Sequence, residues 1–186
     1  MSPHKLDRSL KFMILGYARH GKDTVANILV DTFGLRKEDS SQFAGKQVLM
    51  PYFASKGIHY SSWEECYKDR VNYRQEWFEQ IKAYNTPDET RLAREIYEVS
   101  DIYVGIRRKE EFEAVKAAKL FDYSIWVDRS KHLQPEPLSS NTMSITDADY
   151  VIDNNGTLEQ LITRTRALYW DLISLEHAGT YTKGIN

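Results

Sequence analysis

The sequence predicts an α/β fold: a mostly parallel sheet of about five strands with helices on both faces, a helical insertion and a lid. Three observations carry this expectation. Short apolar runs rich in β-branched and aromatic residues recur at 11–15, 102–106, 123–127 and 150–152, as strands buried on both faces do. Stretches with helical apolar spacing separate them. The first run ends at a glycine-bearing turn that leads directly into one of those helices. With 186 residues, a single compact unit over 1–186 is expected.

Taken in order, the first strand stops at Gly16, and from Asp23 onward Val25, Ile28, Leu29, Thr32 and Phe33 share a helical face that Gly34 can close. A second strand is expected around 40–43. Val48, Leu49, Tyr52 and Phe53 then predict a helix over 44–56, ended near Gly57. Ser62 and Glu65 have the spacing of a capping box and open an expected long helix to Lys82. Thr86, Pro87 and Glu89 offer a cap, a first-turn proline and a box partner for the next. The run at 102–106 precedes a charged helix expected over 109–120 and a strand over 123–127. No apolar period survives between 128 and 147, where Pro135, Pro137, Ser139, Ser140 and Asn141 cluster, and this predicts a flap or lid. A last strand and a helix capped by Thr157 and Gln160 follow, with fraying expected after Gly179.

Composition narrows the function. Against 27 acidic residues the chain has 25 basic ones, a formal net charge of -2, so it lacks the basic excess that coats nucleic acid; any phosphate binding must be local. Cys66 stands alone, which excludes an intramolecular disulfide and a multi-thiolate zinc site and suits a reducing compartment. No apolar run approaches the roughly 18 residues of a membrane span. The first ten residues lack the core of a secretory signal, so no membrane partner and a cytoplasmic location are expected. His4, His59 and His177 have no partners at metal-ligand spacing and read as structural or surface residues.

The informative segment is Gly16-Tyr17-Ala18-Arg19-His20-Gly21-Lys22-Asp23-Thr24, which departs at one position from the phosphate-loop pattern G-x-x-x-x-G-K-[ST] and lies between strand and helix, the context that pattern needs. Glycines allow backbone N–H groups to approach a phosphate closely. The helix end adds free N–H groups and a positive dipole, and Lys22 reaches the β- and γ-phosphates. Asp23 stands where Ser or Thr usually meets Mg²⁺; bare, its carboxylate would repel a nucleotide, whereas with Mg²⁺ between them it can hold the metal directly or through water. An ordinary first-turn carboxylate is the bland alternative. Thr24 is expected on the α-phosphate, and Arg19 near a phosphate or the adenine.

Gly21-Lys22-Asp23-Thr24, the helix after it and Gln42-Phe43-Ala44 resemble the bacteriophage deoxynucleoside monophosphate kinases. Tyr103-Val104-Gly105-Ile106-Arg107 with Glu110-Glu111, and 149–154 through Leu161, are similar to two later segments of that family. The resemblance implies a three-layer P-loop kinase fold, ATP as donor, Mg²⁺, a dNMP acceptor and, for a phage protein, the host cytoplasm. It implies an acceptor-binding helical region over 44–101 and a lid over 129–146. It further implies Arg107 as clamp on the acceptor phosphate, Phe43 and Ala44 nearest the acceptor, although a buried place at a strand end suits Phe43 equally, and Asn154 near the donor adenine, although a plain turn role suits Asn154 better. Gly105 departs from the pattern, standing where the family has an aspartate; Asp128 is a candidate replacement.

Phosphoryl transfer between two anions needs cations on both sides of the moving group. Arg107 ends an apolar strand, where open α/β sheets place ligand contacts. Arg129, with Lys131 and His132, is the lid's catalytic candidate, and Arg74 is preferred over Arg70, Arg91 and Arg94 for the acceptor phosphate. Gln42, Phe43, Tyr52, Tyr84 and Asn85 are candidates for the acceptor base, while Trp63, Tyr67, Trp77 and Phe78 read as core. The competing expectations are a P-loop kinase of another small molecule, such as dephospho-coenzyme A, and a non-catalytic nucleotide-binding scaffold. A homodimer is left open.

Overall fold

A computed structural model describes residues 9–183, so His4 lies outside the described residues. The strands β1 (Phe12–Leu15), β2 (Lys37–Asp39), β3 (Ile102–Val104), β4 (Tyr123–Asp128) and β5 (Tyr150–Asp153) form one sheet in the order β2-β3-β1-β4-β5. Every neighbouring pair is parallel. Alternation along β1 divides the core. Phe12 and Ile14 pack with Val25, Leu29, Leu161 and Leu172 from α1 (Lys22–Phe33) and α8 (Leu158–Lys183). Met13 and Leu15 face the other layer, with Trp126, Tyr103, Ile96 and Phe112. The α/β expectation therefore holds, and α8 runs through Lys183, past the point at which fraying is expected.

Several element boundaries differ from the sequence expectation, each for a local reason. The second strand is Lys37–Asp39, and 40–43 is not extended. Asp39 accepts hydrogen bonds from the Ser41 and Gln42 N–H groups (2.8 and 3.0 Å) and so starts helix α2 (Ser40–Ala44) one residue beyond the strand. A π-helical turn, Gly45–Leu49, joins α2 to α3 (Met50–Ser55), whose Pro51 has no N–H to give.

The expected long helix from Ser62 is two helices, α4 (Trp63–Asp69) and α5 (Arg74–Tyr84). Asp69 accepts from Tyr60 Oη and Asn72 Nδ2, and the backbone turns at Asn72 and Tyr73. The Ser62 hydroxyl caps Glu65 N–H at 3.3 Å, but the Glu65 carboxylate goes to Ser61 instead of closing the box. Neither Thr86 nor Pro87 starts a helix: Asp88 takes the Thr90 N–H and hydroxyl, and α6 (Arg91–Val99) begins after them. The box of Thr157 and Gln160 forms in both directions. Helix α7 (Lys109–Ala117) and the irregular lid after β4 follow the expectation.

Candidate functional site

The loop between β1 and α1 lies at the carboxyl end of the central strand, the crevice in which open parallel sheets bind ligands. Its two glycines are sterically required. Gly16 has φ 139° and a Cβ there would stand 2.7 Å from the Val127 carbonyl oxygen; Gly21 has φ 98° and its Cβ would meet Asn154 Nδ2 at 2.4 Å. Arg19 also adopts positive φ, with its side chain exposed. Asn154 is buried and donates to the His20 carbonyl at 2.9 Å, so it braces the loop.

His20, inside the loop, is fully buried: its Nδ1 accepts the Arg129 N–H at 3.0 Å. Burial lowers its pKa, so the ring is neutral and carries its proton on Nε2.

Lys22 opens α1 and donates to the Tyr17 carbonyl at 2.9 Å. Burial lowers its pKa, the Arg107 guanidinium adds to this, and the carboxylates of Glu136, Asp23 and Asp39 oppose it. A cation that is short of solvation and close to a second cation gains on meeting an anion. Asp23 and Thr24 are exposed, and Asp23 is held by Lys37 Nζ at 3.0 Å.

Beyond the loop a cavity of about 440 Å³ opens between α5, the end of β3 and the lid. Arg70, Trp77, Phe78, Arg107, Glu111 and Leu138 are among its walls. Phe78 and Leu138 leave 54% and 78% of their surface exposed at its edge. Phe78, on a helix that starts anew at Arg74 after the break at 70–73, therefore belongs to a cavity mouth and not to the core. Arg70, whose guanidinium lies 4.3 Å from the Tyr67 ring centre, takes the place expected of Arg74, which is exposed at the first turn of α5 and absent from the lining.

Phe43 packs against the core and Ala44 is fully buried; neither lines the cavity. Asn85 accepts the Leu92 N–H, Tyr84 Oη bonds Glu95, and Arg94 is held by Asp88 and Thr90; none of the three lines the cavity.

Arg107 does bring loop and cavity together. It lines the cavity and pairs not with Glu110 or Glu111 but with Glu136 of the lid at 3.0 Å. The lid is tied at both ends. Arg129 Nη1 donates to the Asn154 carbonyl at 3.2 Å, and Lys131 N–H and His132 Nε2 meet Asn155, while Thr142 N–H donates to the Arg107 carbonyl at 2.9 Å.

Two carboxylates escaped the sequence reading. Asp39 Oδ2 lies 3.6 Å from where a Gly105 Cβ would stand, so a neighbouring strand supplies an acid beside the position that lacks one; burial raises its pKa. Asp128 instead accepts from Ser130 and Asn155 and holds the turn after β4. Glu136 was invisible because no local pattern predicts which lid residue reaches the loop, although its place between two prolines was a readable signal of a fixed backbone.

Glu111 is buried in the cavity wall. Burial pushes its carboxyl from 4.5 up to about 7 against the pull of Arg108, 3.7 Å away. The protonated form suits the fold, so its stabilising effect is complete below pH 4.5 and fades as pH rises through about 7. Glu111→Gln is expected to remove this loss, on the order of 3 kcal/mol across that range. Urea melts of both proteins from pH 5 to 9 check it; parallel curves would refute it.

No family model and no curated protein matches the chain. Among solved structures it is similar to the shikimate kinase of Aquifex aeolicus, at 14% identity over 92% of this chain and 99% of that one, with a TM-score of 0.48. A sugar kinase of a Janibacter species gives 19% identity, 88% and 94% coverage and a TM-score of 0.45. A gluconokinase of Sinorhizobium meliloti gives 12%, 90%, 97% and 0.45. No helix of the described residues is long and apolar enough to cross a membrane.

Proposed function

We propose that this chain is an ATP- and Mg²⁺-dependent phosphotransferase acting on deoxynucleoside monophosphates, as its resemblance to the phage kinases implies. The observation that carries the reading is the meeting of a glycine-bounded loop bearing Lys22 with a cavity of about 440 Å³ walled by Arg107, Arg70 and the rings of Trp77, Phe78 and Tyr103. That space suits one mononucleotide, with a planar face for stacking and cations for its phosphate.

In this reading the loop amides and Lys22 hold the β- and γ-phosphates, and Thr24 the α-phosphate. An acceptor phosphate oxygen attacks the γ-phosphorus, the bond to the β-bridging oxygen breaks, and ADP leaves with that electron pair. Arg107 neutralises charge between the two anions. The acceptor is already an anion, so no general base is needed. The region 44–101 forms the acceptor side and the lid over 129–146 excludes water. Arg129 joins the catalytic set only if closure frees it from Asn154.

Mg²⁺ would lower the charge on the transferring phosphates. Among the described residues no group of three or more acidic, His or Cys side chains is placed to hold a metal. Mg²⁺ commonly takes one or two carboxylates and completes its shell with phosphate oxygens and water; Asp23, with Asp39 near enough to feel its charge, would supply them.

Asp39 also favours a second reading, a kinase of a hydroxyl acceptor such as dephospho-coenzyme A. Its half-buried carboxylate beside cavity-lining Ser40 is suited to take a hydroxyl proton. Acceptor-dependent ADP release, measured with each dNMP, each NMP, dephospho-coenzyme A and small hydroxy acids, separates the readings. Stimulation by dNMPs is expected. Stimulation by hydroxyl acceptors alone would replace the first reading with the second, and ATP binding without any stimulation would leave a nucleotide-binding scaffold.

A further inference from the structure

We infer that Glu136 is an internal competitor for phosphate: its carboxylate occupies, in the free protein, the point where donor loop and acceptor cavity meet. Glu136 Oε2 accepts the Ala18 N–H of the loop at 2.7 Å and Asn141 Nδ2 at 3.4 Å, and Oε1 pairs with Arg107 Nη1 at 3.0 Å. Ala18 belongs to the phosphate loop, and Arg107 and Asn141 line the cavity. A backbone N–H, a guanidinium and an amide converging on one anion are the donor set a phosphate oxygen needs. The chain supplies that anion itself.

The contact is built, not incidental. The Glu136 side chain keeps only 16% of its surface exposed, compared with 48% for Arg107. Pro135 and Pro137 fix φ on either side, so little backbone entropy is lost in presenting the carboxylate. The turn after it is pinned by Ser140 and Asn141 N–H groups, both donating to the Pro137 carbonyl. The charge is also felt at Lys22 and His20, which places it inside the field of the loop.

Binding of a phosphate here is therefore an exchange. An incoming phosphate must displace the carboxylate from Ala18 and Arg107, and the lid segment carrying Glu136 must shift. Affinity is reduced by the fraction of molecules in which the site is already filled. The same contact keeps Arg107 and the loop amide paired before ligand arrives, so the partly buried Ala18 N–H is not left unsatisfied.

The inference rests on the phosphate-loop reading, and the test separates the two. ATP with Mg²⁺ and no acceptor is titrated calorimetrically into the native protein, Glu136→Gln, Glu136→Ala and Lys22→Ala, with melting curves confirming that each is folded. Both Glu136 variants are expected to bind about tenfold more tightly, from the loss of one charge-assisted competitor, and Lys22→Ala to bind more weakly. ATP binding that weakens in Lys22→Ala but is unchanged or weaker in both Glu136 variants overturns the competitor role and leaves the loop reading standing. Failure of ATP to bind any folded form of the protein overturns both.

Discussion

Lys22→Ala is expected to reduce acceptor-dependent ADP release by about a hundred- to thousandfold, the usual cost of removing one preorganised donor from a charged transition state. The structure explains why so much rests on one amine. Lys22 is the first residue of α1, directly after a glycine that cannot carry a side chain without striking Asn154. Its position is thus set by the backbone. Its pKa is lowered by burial and by Arg107, so the ammonium is under-solvated in the free protein and has more to gain from a phosphate than an exposed lysine would. For the same reason the substitution should leave thermal stability nearly unchanged, since the ammonium makes one hydrogen bond, to Tyr17, and pays for burial beside a like charge. Steady-state kinetics and a thermal melt check both halves. A variant that loses activity only because it has unfolded would contradict this account.

Arg107→Lys is expected to be nearly as damaging as Arg107→Ala, lowering kcat/KM for the acceptor by about a hundredfold while ATP still binds. A guanidinium presents a planar fork of donors, and here it faces the loop on one side and the cavity on the other. Lysine has the charge but cannot bridge two oxygens in a fixed plane. The effect should fall on the acceptor because Arg107 lines its cavity, whereas the donor keeps Lys22 and the loop amides. Separate titrations of ATP and acceptor in the kinetic assay distinguish this from a general loss. Equal weakening of both would place Arg107 on the donor instead.

Both predictions concern residues legible in the sequence, and the reason is that each belongs to a local device. Gly16, Gly21 and Lys22 lie within one turn, fixed by the strand before and the helix after it. Arg107 follows a strand whose three residues are all buried, Ile102–Val104, so its place at a carboxyl edge follows from the α/β pattern. The apolar runs determined four of the five strands, because buried apolar residues leave little freedom of assignment; β2, Lys37–Asp39, has no apolar residue and gave no such signal.

What the sequence alone determined, then, was the class of fold, the loop with its two indispensable glycines, and the cation at the end of β3. Only the tertiary structure decided the rest, because it depends on contacts between distant segments. The break at 70–73 turns Arg70 and Phe78 to the cavity and leaves Arg74 outside; the spacing of residues along a helix cannot say where that helix is interrupted by side-chain bonds such as those of Asp69. Asp39 stands beside Gly105 only because β2 pairs with β3. Glu136 reaches Ala18 across 118 residues of chain, a closure that no local propensity encodes and that packing of the lid against the loop alone brings about.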